Sequence, residues 1–212
     1  MDIRNGPIDL EWYAICGVNC GGMEMKRLVF APLFILIFGV AAFGQSAVAK
    51  AQRITGDRFT VSATTPKGAN VVAVRRPSAA MLNAIDAGLT QLFAVARRNG
   101  YRRLTSYGDY TIFVAKADRQ KDSGGGYSPD IAVGAAQYSG TDYDQGGYIF
   151  AAGMVVSNSP ASFVIAEHTR DFGRVSDVVR YEGEHLVLYH NDRRRYMETR
   201  DHSAGGAHPI LQ

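Results

Sequence analysis

The stretch DFGRVSDVVRYEGEHLVLYH, residues 171–190, reads as an amphipathic helix, and the rest of the fold can be worked out from it. At 100° per residue, Val175, Val178, Val179, Leu186 and Tyr189 fall on one apolar stripe. Glu182 lies near the middle of that stripe and His185 at its edge, while Ser176, Arg180 and Glu184 point the other way. A second helix is expected earlier. Pro77-Ser78 opens it, Met81, Leu82, Ile85, Leu89, Leu92, Phe93 and Ala96 recur at helical spacing, and Asn99-Gly100 ends it.

Between and before these helices the pattern is that of strands. Residues 58–64 and 70–75 alternate apolar and polar side chains around Thr65-Pro66-Lys67-Gly68, which predicts a hairpin. Residues 109–117, 148–156 and 162–166 read as further strands, and 131–133 as a short one inside a glycine-rich excursion from 118 to 147. A short polar helix is expected from 192 to about 200. This order predicts an α+β fold: one domain, with a mixed or antiparallel sheet packed by two main helices.

The chain has 212 residues, 46% hydrophobic and 20% charged, a balance that excludes a disordered polyelectrolyte, a collagen-like repeat and a multi-pass membrane protein. Met25-Lys26-Arg27, the apolar run from Leu28 to Phe43 and the small residues Ser46-Ala47-Val48-Ala49 have the three-part layout of a secretory signal peptide. Residues 25–49 are therefore expected to be removed after Ala49, leaving 50–212 as the mature domain in the periplasm or outside the cell. A single N-terminal membrane anchor is the alternative. Residues 1–24 read as an upstream extension from a misassigned start. Both cysteines, Cys16 and Cys20, fall there, so the mature chain has none. From Lys50 onward 20 basic side chains face 16 acidic ones. That mild excess is no nucleic-acid footprint, and the membrane is met only through the signal peptide.

The five histidines, His168, His185, His190, His202 and His208, all lie from residue 168 onward and bracket the motif helix. His190 sits about 140° round from His185, so a straight helix does not let those two chelate together. A carboxylate such as Glu182 on a buried stripe must be paired, protonated or metal-bound. A catalytic zinc needs three protein ligands, an open position and a nearby carboxylate. His185, His202 and His208 with Glu182 could supply that inventory, and Gly205-Gly206 would let the tail fold back between the last two histidines.

Tyr181-Glu182-Gly183-Glu184-His185 also resembles the zincin metalloprotease helix motif His-Glu-x-x-His, with tyrosine where the first histidine would stand. The resemblance implies a zincin-like C-terminal half, a zinc ion, His185 as the retained ligand and Glu182 as the general base. Tyr181 would occupy the lost ligand position, and Tyr181 and Tyr189 are expected to bind substrate. Tyrosine is not among the usual zinc ligands. Either the metal is held by His185 with His202 and His208, or the site is a degenerate, non-hydrolytic relic. The function implied is a metal-dependent hydrolase acting on a peptide or another envelope component. The alternative is a non-enzymatic periplasmic or secreted binding protein that uses the Gly/Tyr-rich excursion 123–148, with Tyr127, Tyr138, Tyr143 and Tyr148 as a platform. The residues do not indicate an oligomeric state.

Overall fold

The computed structural model describes residues 47–117, 130–134, 148–200 and 208–212. Helix α1 is described over 47–55. It is followed by strands β1 (Val61–Thr64) and β2 (Asn70–Ala73), helix α2 (Ala79–Arg98), a single 3-10 turn at Tyr107–Asp109 and strand β3 (Thr111–Ala115). Then come β4 (Ile131–Gly134), β5 (Tyr148–Ala151), β6 (Gly153–Asn158), β7 (Ala161–Ala166), α3 (Phe172–Asn191) and α4 (Arg193–Thr199). One sheet has the order β1-β2-β3-β7-β6, and β4 pairs with β5 in a second, two-stranded sheet. The central pairs β2–β3 and β3–β7 are parallel, and the outer pairs β1–β2 and β6–β7 antiparallel. The sheet is thus mixed, within the expected α+β class.

Alternation along the central strands sends side chains to two cores. Ile112, Val114, Phe163 and Ile165 face α2 and α3. Phe113, Ala115, Val164 and Ala166 face α1 residues Ala47, Ala51 and Ile54, together with Ile131 and Val133 of β4. Strand β7 is buried at every position, as expected for a strand covered on both faces. Ala47 is buried and α1 runs through the Ala49–Lys50 junction, so the helix includes residues on both sides of the expected cleavage point. The apolar run 28–43 lies outside the described residues.

Local chemistry explains the element ends. Ser78 caps α2 by accepting a hydrogen bond from the amide of Met81, and Asp171 caps α3 by accepting one from Arg174. Gly68 takes a φ of +98° in the β1–β2 turn, a conformation that glycine adopts without strain. The amide of Lys67 in that turn donates to Asp86 Oδ2 at 2.9 Å, tying the hairpin to α2. Helices α2 and α3 approach closely because each puts a glycine against the other, Gly88 opposite Val179 and Gly183 opposite Leu92. A Cβ on Gly88 would meet the Ser176 carbonyl oxygen and Val179, and one on Gly183 would meet Leu92.

Two expectations are corrected. Residues 148–156 do not form one strand: the chain leaves β5 at Ala151 and enters β6 at Gly153, in a different sheet. Ser176 and Glu184 do not face solvent. Both are buried, because α3 is covered on a further side by α2 and by residues 208–212.

Candidate functional site

Helix α3 carries most of the site on its third and fourth turns. Tyr181 and His185, four residues apart, share a face. Residues 208–212 return to that face, and the His208 ring stacks on Tyr181 with centroids 4.9 Å apart and planes at 22°. His185 meets the same ring edge-on at 5.1 Å and 86°. The two Nε2 atoms stand 3.4 Å apart. Two histidines 23 positions apart in the sequence are thereby brought together.

Glu182 lies on the adjoining side of α3, half-buried against β6. A Cβ on Gly153 would fall 2.9 Å from Glu182 Cγ and 3.1 Å from its Oε1, so the missing side chain at 153 is what makes room for the carboxyl. Burial raises the Glu182 pKa from 4.5 to about 7, partly offset by the charge of His208.

Glu184, which the helical wheel turned outward, is fully buried. Its Oε1 accepts from Arg180 Nε at 3.1 Å, and its Oε2 accepts from the amides of Ile210 at 2.7 Å and Leu211 at 3.3 Å. The same Oε2 stands 3.9 Å from His208 Nδ1. A fully buried carboxyl group needs partners of this kind to offset its lost hydration. The signal that could have identified it was Arg180, four residues earlier on the same face, the spacing of a helical ion pair.

The other expected residues are dispersed. Tyr189 packs under the Arg193 guanidinium, 3.7 Å above its ring, and against Tyr196 at 5.2 Å, so it belongs to the α3–α4 joint. The His190 Nε2 is 2.6 Å from the Asn158 carbonyl oxygen, tying α3 to β6. His168 has its pKa lowered by burial and by Arg174. His202 lies outside the described residues, as do Tyr127, Tyr138 and Tyr143 of the proposed binding platform. Tyr148 begins β5.

A cleft of about 490 Å³ opens beside Tyr181, lined by Ala152, Asp171, Arg174, Asp177 and Val178 among others. Among the described residues, no group of three or more His, Cys, Asp or Glu side chains is placed to hold one metal ion. The 3.4 Å between the Nε2 atoms is within reach of a hydrogen bond from one ring to the other, and is also close to the separation of two nitrogens on one tetrahedral ion. Nitrogens about 2.0–2.1 Å from a tetrahedral zinc lie about 3.3 Å from each other. Comparison with protein-family models, with curated proteins and with solved structures finds no match for this chain.

Proposed function

We propose that the protein is an exported metal-dependent hydrolase of peptide-like substrates, in which His185, His208 and His202 are the zinc ligands. The observation that supports this most is the 3.4 Å between the Nε2 atoms of His185 and His208, the spacing two ligands of one tetrahedral ion require. A bound zinc would supply Lewis-acid activation of water and of the substrate carbonyl. Glu182 is the proton acceptor: its carboxyl, held over Gly153, has a proton affinity near neutrality, where general bases work best. Tyr181 backs the His208 ring and borders the cleft, so it can orient both the ligand and the substrate. Export rests on the three-part segment 25–49.

Elemental analysis of the purified protein tests this reading. One zinc per chain is expected, and it should be lost in His185→Ala and in His208→Ala. Glu182→Gln should retain the zinc and lose peptidase activity by about 100-fold or more. A chain without stoichiometric metal, or full activity in Glu182→Gln, would refute the proposal.

A further inference from the structure

Residues 208–212 are held along their whole length. Arg195 Nη2 donates to the Ile210 carbonyl at 2.6 Å, and Arg180 Nη2 donates to the Leu211 carbonyl at 3.0 Å. Asn99 Nδ2 donates to the Gln212 carbonyl at 3.0 Å. The Leu211 side chain is fully buried in the core shared by α2 and α3. Glu184 is the centre of this socket. It accepts from the amides of Ile210 and Leu211 and stands 3.9 Å from His208 Nδ1, while His208 Nε2 is 3.4 Å from His185 Nε2.

We propose that Glu184 is the positioning residue of the histidine pair: by anchoring the amides of Ile210 and Leu211 it seats residues 208–212 on α3 and aims His208 Nε2 at His185. This deepens the metal-site reading and rests on it, because it makes ion binding depend on docking of the segment. At 3.9 Å the Glu184 carboxylate lies beyond hydrogen-bond length from His208 Nδ1, so its hold on the ring runs through the amides of Ile210 and Leu211 and through charge rather than through a direct hydrogen bond. Glu184 does not touch substrate in this account; it acts through His208.

The test uses the full chain with zinc chloride titrated against a chromophoric chelator. Amide hydrogen exchange at residues 210 and 211 and the His208 ring ¹⁵N signals are read in the metal-free protein. Glu184→Gln should bind zinc about 10- to 100-fold more weakly. It should also lose exchange protection at 210–211 and shift the His208 ring signals, while amides of β3 and β7 stay protected.

Ile210→Pro removes the amide that donates at 2.7 Å, together with the half-buried Ile210 side chain, and leaves Arg180 and Glu184 in place. It should reproduce the weaker zinc binding, the lost exchange protection at 211 and the shifted His208 ring signals, which keeps the proposal testable if Glu184→Gln does not fold. Wild-type zinc affinity in both variants, or an undocked segment with unchanged affinity, would overturn it. If the wild-type chain binds no zinc, the metal reading fails. Positioning is then judged by the His208 ring signals and exchange at 211 in the metal-free variants, and is overturned if neither changes.

Discussion

Glu182 and Glu184 stand two residues apart on α3, yet they occupy different environments. Glu184 is ion-paired and hydrogen-bonded, whereas Glu182 is pressed against Gly153 and has its proton affinity raised by burial. Since the folded-state pKa of Glu182 is about 7 against an ordinary 4.5, the native state binds the proton more tightly between those values. Its contribution to stability is therefore complete below pH 4.5 and falls as pH rises through 7, by up to ~3 kcal/mol. Glu182→Gln should consequently be the more stable protein in urea melts at pH 8 and equal to wild type at pH 4. A further check concerns room rather than charge: Gly153→Ala should displace the carboxyl and lower stability, and under the proposed hydrolase reading lower that activity as well. Activity and thermal melts compared on the same sample measure this. The wheel put Glu182 on the side of α3 that it shares with Val178, and both approach Gly153 of β6. It misplaced Glu184 because one stripe describes one neighbour, and α3 has a second in residues 208–212.

At the scale of elements, the periodic segments were legible. Ser78 and Asp171 mark the helix starts they cap, and the alternation of residues 111–115 marks β3. Ser78→Ala and Asp171→Ala should each cost about 1 kcal/mol, measured by urea denaturation near neutral pH. The break at Ala152 was not legible, because the apolar run from Tyr148 to Val156 continues through a change of sheet and local pattern carries no record of the partner strand. The helix crossing was equally hidden. Gly88 and Gly183 look like poor helix residues in isolation, and only the neighbouring helix explains them. Gly88→Ala meets backbone at the Ser176 carbonyl and should destabilise by more than Gly183→Ala, which meets the end of the Leu92 side chain. Both belong in the ~1–3 kcal/mol range of overpacked cores, and paired denaturation curves rank them.

Across the whole molecule, the mixed sheet divides two cores, and Leu211 reaches the larger one from far along the chain. Leu211→Ala should cost about 2–5 kcal/mol in urea denaturation. It should also loosen the hold on His208, since the same short segment carries both residues. The histidine pair was anticipated as a set but not as a geometry, because sequence spacing says nothing of where a returning segment docks. The glycine contact between α2 and α3 also bears on the rate at which this protein forms. Gly88 and Val179, whose side chain bars a Cβ at 88, lie roughly ninety residues apart, so a large loop must close before that contact gives any return. Folding should accordingly be slow for a chain of this size. Until the loop closes, the apolar faces of both helices stay open to water, a window in which a freshly made chain would depend on being shielded from its neighbours.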